Sequence, residues 1–374
     1  MKQKNILKGI DTVLLISTGI LLLIGLIILQ SASGPSSYNF FGNSYYEVVN
    51  QLQKGVLPGI ILFFLFANFS LSWIRRLSIL VWILIIGLNI LVLIPGIGIE
   101  VNGANRWLSI SGIRIQPAEL LKLALIVCLA TILFKLGKNI NKLKSLLLIS
   151  FIIGLSAFIV IYIQSSLSNG LLIIIIALSM LFQSKIKFRF IMLFIFIGII
   201  SAIIAIIATP YRGKRINTFW QPEQINSTDA NYKERYQMNN NMIAVGSGGL
   251  WGVGLGESRQ KFFYLPEAST DSIFAVFAEE NGFIGAILLL SLFLTIIFRI
   301  LFLYTHINED FSKYILIGGV TWFTIQIIIN IAPIIKLAPV TGVPLPFVSE
   351  GGTSMIVFCT LFGIIANISK YRNN

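Results

Sequence analysis

Charged residues are scarce in this sequence. Asp, Glu, Lys and Arg together make up 11% of its 374 residues, whereas hydrophobic residues make up 56%. A soluble protein of this length could not remove so much apolar surface from water. The composition therefore excludes a set of soluble domains and predicts an integral membrane protein.

Histidine and cysteine are almost absent, which limits the chemistry. The single histidine, His306, is predicted to lie in a cytoplasmic loop, so the sequence excludes a histidine metal cluster and argues against a histidine-dependent triad. The two cysteines, Cys128 and Cys359, both fall within apolar runs. We interpret them as small buried residues rather than as a disulfide or a metal site.

Long apolar runs divide the chain. A helix needs about 20 apolar residues to cross a bilayer, and we predict an all-α integral membrane protein of about ten transmembrane helices. They would form one polytopic domain over residues 1–374. The first run is too long for a cleavable signal peptide. The runs cover residues 12–31, 52–69, 74–95, 116–135, 146–163, 167–183, 190–209, 272–298, 314–335 and 352–369.

Lysine and arginine concentrate in alternate connections between the runs. The short connections on the other side hold only Lys54, Arg106, Arg114 and Lys336. The positive-inside rule therefore predicts that both termini are cytoplasmic. The net charge of +13 then reflects topology and attraction to anionic lipid headgroups, and no soluble basic domain supports nucleic-acid binding.

One large extracytoplasmic loop, residues 210–271, is predicted between the seventh and eighth helices. Its polar part, 220–241, is predicted to be mobile, whereas 246–256 is rich in glycine with apolar residues between the glycines. Such a segment is either a flexible linker or a place where the backbone approaches a ligand or a neighbouring helix closely.

Charged residues gather where this loop meets the eighth run. Arg259 and Lys261 could hold the phosphates of a lipid substrate, and Glu267 and Asp271 supply carboxylates, one of which could act as a general base. Alternatively, Asp271 caps the following helix, and the two cations anchor the loop at the membrane interface. The local spacing leaves these alternatives open.

Several ionisable residues fall inside predicted spans, where such residues are costly and usually functional. Glu119 and Lys122 share a helix face at i, i+3 and form either an ion pair or part of a substrate site. Glu279 and Glu280 are adjacent, so at least one must face the protein interior or a water-filled cavity.

Two outer segments also have unusual compositions. One contains Arg106 and then Gln116-Pro-Ala-Glu119, which is typical of a helix start. The other, 336–354, contains several prolines and glycines together with Ser349 and Glu350. It cannot form a straight helix, so we predict a rigid broken segment that is buried in protein or lines a cavity.

These segments resemble the SEDS family of cell-wall glycosyltransferases (shape, elongation, division and sporulation proteins). The resemblance covers nearly the whole chain and rests on three motifs in order. The run GESRQKFFYLPE resembles the division and sporulation branch more than the elongation branch. The motifs are GANRW (103–107) with QPAELLK (116–122), residues 246–282 including LPEASTD, and PVTGVPLPFVS (339–349) followed by Gly351-Gly352.

The resemblance implies that the chain polymerises lipid II into glycan strands at the outer face of the bacterial cytoplasmic membrane, with release of undecaprenyl pyrophosphate. It implies Asp271 as the catalytic base, a divalent cation (Mg²⁺ or Mn²⁺) and a class B penicillin-binding protein as partner. The substrate-binding candidates are Arg106, Glu119, Lys122, Arg259, Lys261, Glu267, Glu280, Ser349 and Glu350.

The sequence departs from the family pattern at three positions. Ser166 stands where an acidic residue is usual, Glu350 where a tyrosine is usual, and Asn105 where an arginine is frequent. The first departure puts a metal or substrate role of residues 164–170 in doubt.

Two alternatives to the polymerase are a lipid II flippase, for which we see no inverted repeat, and a weakly active scaffold for the partner.

Overall fold

The computed structural model describes residues 9–101, 104–110, 113–207, 213, 219 and 232–372. In this part of the chain, eight helices are long and apolar enough to cross a membrane, and two shorter apolar helices accompany them. The helices are α1 (Thr12–Phe41), α2 (Tyr46–Gln51), α3 (Leu57–Asn68), α4 (Leu71–Leu91), α5 (Pro117–Leu136), α6 (Leu143–Phe158), α7 (Leu167–Gln183), α8 (Phe188–Ile207), α9 (Tyr232–Ser247), α10 (Ile273–His306), α11 (Asp310–Ile334) and α12 (Gly352–Ser369).

Each predicted span coincides with a continuous helical stretch, which confirms a multi-pass helical protein. α2 and α3 form one stretch, Tyr46–Asn68, through a π turn at Leu52–Val56, and α6 continues through a second π turn to Ile163. The helices extend beyond the apolar runs in two places. α1 continues to Phe41, where Gly42 at φ 69° donates its amide to the Tyr38 carbonyl and ends the helix. α10 continues to His306, so the prediction that this residue lies in a loop is wrong. The length of an apolar run gives only the part of a helix that lies within the hydrocarbon. A helix that continues outside the hydrocarbon is longer than its apolar run.

A small antiparallel sheet corrects the all-α prediction. β1 (Gly98–Val101), β2 (Ala104–Ile110) and β3 (Ile113–Ile115) pair in the order β1-β2-β3. We predicted an outer loop here because the strands are too short for a clear alternating pattern. The sheet fixes the position of Arg106, which lies on β2.

The long loop is only partly described. Arg212, Lys214, Arg215, Glu223 and Asp229 lie outside the described residues. The prediction of a mobile segment over 220–241 is wrong for residues 232–241, which belong to α9.

The glycine-rich segment packs backbone to backbone against α10. The helix is interrupted at Gly282, whose φ is 64°. Val253 N–H donates to the Glu279 carbonyl at 3.0 Å, and Phe283 N–H donates to the Gly249 carbonyl at 2.9 Å. A Cβ on Gly252 (φ 83°) would collide with the Glu280 main chain. The sequence-based alternative of close approach to a neighbouring helix is therefore confirmed.

The segment between α11 and α12, residues 335–351, is non-helical, as predicted. Its Val343 and Leu345 are almost completely buried. Side chains of α11 hold its main chain: Asn330 Nδ2 donates to the Val343 carbonyl at 2.9 Å, and Gln326 Nε2 donates to the Pro344 carbonyl at 3.0 Å. We call residues 335–351 the broken segment.

The end of the bundle opposite Asp271 is fastened by a charged cluster. Asp11, the N-cap of α1, accepts two hydrogen bonds from Arg299 (2.8 and 2.5 Å) and one from Arg372 (2.8 Å). Burial by itself raises the pKa of Asp11, but these arginines and the Leu14 amide hold it below its ordinary value. The cluster joins α1, α10 and the residues after α12.

The core lies around α12. Phe323 of α11, Phe347 of the broken segment and Phe358 and Phe362 of α12 pack ring to ring. Cys128 and Cys359 are free and buried, as predicted.

Candidate active site

Asp271 lies where the loop before α10, helix α11 and the broken segment meet. α10 begins at Ile273 with Ser272 as its N-cap, so Asp271 does not occupy the capping position. Its carbonyl accepts a hydrogen bond from Asn330 Nδ2 at 3.3 Å. A Cβ on Gly342 would lie 3.7 Å from Asp271 Oδ2, so the partly buried carboxylate faces the broken segment.

The residues before Asp271 are tied to the broken segment by paired hydrogen bonds. Ser349 Oγ donates to the Thr270 carbonyl at 2.6 Å. Glu350 N–H donates to the Ser269 carbonyl at 2.9 Å, and Ser269 Oγ donates to Glu350 Oε2 at 2.9 Å. Ser349 and Glu350, which we predicted to bind substrate, therefore hold the loop that carries Asp271.

Glu350 is a partly buried carboxyl in this arrangement. Burial raises its pKa, the hydrogen bond from Ser269 lowers it, the nearby Glu267 raises it and Arg114 lowers it. The net direction is upward from the ordinary value of a glutamic acid.

Lys261 and Glu280 form a buried ion pair with an Nζ–Oε1 distance of 2.7 Å. Lys261 Nζ also donates to Ser31 Oγ at 3.0 Å and to the Gly256 carbonyl at 2.6 Å. Three acceptors use the three hydrogens of the ammonium group. This geometry gives both residues a structural role and leaves no hydrogen of Lys261 for the substrate phosphate that we predicted it would bind.

Glu119 and Lys122 form a second buried pair, at 2.6 Å, and both are 0% exposed. Lys122 Nζ also donates to Asn169 Oδ1 and to Gln326 Oε1, each at 3.2 Å. Through Gln326 the pair supports the broken segment at Pro344. The geometry agrees with the ion-pair alternative rather than with the substrate contact predicted for these two residues.

Glu279 has a role that the sequence did not reveal. Its carboxylate accepts hydrogen bonds from Ser258 Oγ (2.5 Å), Arg259 N–H (3.1 Å) and Gln260 N–H (3.3 Å). Glu279 therefore anchors the turn that carries Arg259. Both Arg259 and Glu267 are exposed. These two remain predicted substrate contacts.

Arg106 connects the sheet to the turn before α7. Its Nε donates to the Gln164 carbonyl at 3.0 Å and its Nη2 donates to the Ser165 carbonyl at 2.8 Å. Ser166 follows directly, and its Oγ accepts a hydrogen bond from Asn169 Nδ2 at 3.2 Å. Lys122 bonds to the same Asn169, so the turn with the unusual serine is part of the network around Lys122.

Amide side chains inside spans carry much of this positioning, and none of them was among the predicted site residues. Asn330 and Gln326 lie on one face of α11 at i, i+4, and both are almost completely buried. A polar amide residue within an otherwise apolar helix is the signal in the sequence that could have identified both residues.

Metal ligands of the usual clustered kind are not seen. Among the described residues, no group of three His, Cys, Asp or Glu side chains could hold a metal ion. The divalent cation remains a prediction.

Comparison with known proteins identifies close similarity over the whole chain. The FtsW/RodA/SpoVE family of cell cycle proteins matches residues 11–374. Stage V sporulation protein E of Bacillus subtilis is 35% identical, with 96% of this chain and 97% of that protein covered. The "Probable peptidoglycan glycosyltransferase FtsW" of Coxiella burnetii is 34% identical over 100% of both chains.

Two solved structures share the fold. One comes from a peptidoglycan synthase complex that coordinates polymerization and crosslinking; it has a TM-score of 0.77 and 22% identity, and covers 97% of this chain and 98% of its own. The other is the rod shape determining protein RodA of Thermus thermophilus, with a TM-score of 0.71, 22% identity and 98% of each chain covered.

Proposed function

The chain belongs to the FtsW/RodA/SpoVE family, the SEDS family, and we propose that it is a peptidoglycan glycosyltransferase that polymerises lipid II with Asp271 as the general base. The position of Asp271 carries the assignment of the base. Its carboxylate is partly buried and faces the broken segment, whereas Glu119, Glu279 and Glu280 are almost completely buried.

The reaction is the one that the family resemblance implies. Asp271 takes the proton from the C4 hydroxyl of the acceptor GlcNAc, and the oxygen forms a bond to C1 of the donor MurNAc. The bond from C1 to the pyrophosphate oxygen breaks, and undecaprenyl pyrophosphate leaves with the bonding electrons. The exposed Arg259, on the turn anchored by Glu279, offers a positive charge to the leaving group.

The setting of the reaction is part of the same proposal. The excess of lysine and arginine on one side supports a cytoplasmic membrane location with Asp271 on the extracytoplasmic side. The similarity in fold to a chain of a peptidoglycan synthase complex supports a class B penicillin-binding protein as partner. A divalent cation, when bound, would neutralise charge on the pyrophosphate.

The test is a lipid II polymerisation assay on the purified protein with a class B penicillin-binding protein. We expect Asp271→Asn to reduce the rate on the order of 10²- to 10⁴-fold, because the amide cannot accept the proton. Glu257→Gln is the matched control, since Glu257 is an exposed carboxylate in the same loop, and its rate should equal that of the wild type.

Both variants should keep the wild-type melting temperature, which excludes misfolding as the cause. Full activity of Asp271→Asn would contradict the assignment of the base. Lipid II scrambling in vesicles that persists in Asp271→Asn, without polymerisation in the wild type, would favour a flippase instead.

A further inference from the structure

A polar stripe lies between α1 and α2, next to the broken segment. Gln30, Ser33 and Ser37 are spaced i, i+3, i+7 and share one face of α1. Glu47 and Gln51 are spaced i, i+4 on α2, which packs against α1. The stripe reaches the broken segment through Gln51 Oε1, which accepts a hydrogen bond from Gly351 N–H at 3.1 Å.

The stripe concentrates buried polar atoms that have no hydrogen-bond partner among the described residues. Ser33 and Ser37 are both 0% exposed. Buried polar groups in proteins are nearly always paired, so a group of unpaired ones indicates a site for water, a ligand or an ion. The unpaired atoms are Gln30 Oε1, Ser33 Oγ, Ser37 Oγ, Glu47 Oε2 and Gln51 Nε2.

Two carboxyl groups face this stripe. Glu47 is close enough to Glu350 for electrostatic repulsion, and the Ser33 and Ser37 hydroxyls lie close enough to the Glu47 carboxyl to act on it, although neither forms a regular hydrogen bond with it. Within the described part of the chain no lysine or arginine pairs with Glu47, and the cation that acts on Glu350 is Arg114. Burial and mutual repulsion therefore disfavour the state in which both carboxyls are ionised, and a cation bound between them would relieve that repulsion.

We propose that this pocket binds a divalent cation of the Mg²⁺ or Mn²⁺ type through the Glu47 and Glu350 carboxylates and the Ser33 and Ser37 hydroxyls. Hard divalent cations prefer oxygen ligands and take about six of them. A proton shared between the two carboxyls would join only two oxygens and leave the hydroxyls unpaired. Water completes the coordination shell, as is usual for Mg²⁺.

A groove of about 580 Å³ borders the stripe at Gln30, which lines the groove and whose Oε1 belongs to the stripe. A bound cation would connect α1 and α2 to Glu350, which is hydrogen-bonded to the loop that carries Asp271. The proposal does not depend on Asp271 being the base.

Mn²⁺ binding tests the proposal directly. Mn²⁺ is titrated into the purified protein in phosphatidylcholine nanodiscs, and free Mn²⁺ is measured by electron paramagnetic resonance. We expect the wild type, Asp271→Asn and Glu257→Gln to bind one Mn²⁺ saturably, and Glu47→Gln and Glu350→Gln to lose this binding.

The double variant Ser33→Ala/Ser37→Ala separates binding from folding. Its Mn²⁺ affinity should fall on the order of 10- to 100-fold. Its melting temperature without metal should not fall, because the hydroxyls that it lacks have no partners. Saturating Mn²⁺ should raise the melting temperature of the wild type but not that of Glu47→Gln.

Three results would overturn the proposal. They are the absence of saturable binding in the wild type, undiminished binding in Glu47→Gln, and binding that is lost in Asp271→Asn but kept in Glu47→Gln. Because polymerisation is measured separately, an active wild type without Mn²⁺ binding would reject this site and leave the proposed function intact.

Discussion

Two buried polar clusters of this protein differ in how completely their atoms are paired. Around Lys122, each ammonium hydrogen has an acceptor on Glu119, Asn169 or Gln326. Between α1 and α2, hydroxyl, carboxylate and amide atoms are buried without partners. Even in the first cluster one atom, Glu119 Oε2, is unpaired. Burial alone therefore does not distinguish a structural cluster from a binding site; the number of unpaired atoms does.

The two clusters also contact the same segment, the broken segment, at different residues. The Lys122 cluster supports the broken segment at the Pro344 carbonyl. The stripe between α1 and α2 contacts it at Gly351 and, electrostatically, at Glu350. One support is built into the chain, whereas we propose that the other is completed by a cation.

The largest effect on stability should follow removal of the charge at Lys122. Lys122→Met leaves the Glu119 carboxylate buried without its cation, and we expect a loss of about 3–5 kcal/mol in the free energy of unfolding. Unfolding in mixed micelles with increasing dodecyl sulfate measures it. The double variant Glu119→Gln/Lys122→Met, which removes both charges, should lose less. Equal stability of Lys122→Met and the wild type would contradict a structural role for the pair.

A matched pair of serines tests the comparison at the level of single hydroxyl groups. Ser258 and Ser33 are both 0% exposed, but only the Ser258 hydroxyl forms a regular hydrogen bond, to the Glu279 carboxylate at 2.5 Å. We expect Ser258→Ala to lower the free energy of unfolding by about 1.5–3 kcal/mol, the range for a hydrogen bond to a charged group.

The smallest effect should come from Ser33→Ala. Without divalent cations, its free energy of unfolding should stay within about 0.5 kcal/mol of the wild type. The same denaturation, run with a chelator for both serine variants, measures the difference. If Ser33→Ala is as destabilised as Ser258→Ala, the two hydroxyls are equivalent and the distinction drawn between the clusters fails.

The sequence predicted the features that depend on local composition. Apolar runs located the spans, prolines and glycines located the broken segment, and the glycines around Gly252 indicated a close backbone approach. These predictions work because hydrocarbon thickness and backbone sterics act on neighbouring residues.

The features that were missed depend on contacts between distant residues. Ser37 lies beyond the apolar run of the first span, and Glu47 lies on a short helix before the second, so neither stood out. We predicted that Lys261 binds a phosphate. Its ion pair with Glu280 and its hydrogen bond to Ser31 form only in the folded chain, so the sequence did not reveal them. Which polar groups pair with each other depends on the tertiary structure, so the sequence alone could not show which of them are paired.

The cluster at Asp11 has a consequence for how the protein is made. Asp11 is synthesised early, but its partners Arg299 and Arg372 emerge from the ribosome 288 and 361 residues later. Until these partners are synthesised, α1 lies in the bilayer with its N-cap carboxylate in water at the membrane surface. The N-terminal end of α1 is therefore fixed long after it is synthesised, and truncated nascent chains that lack Arg299 should leave this end of α1 unfastened.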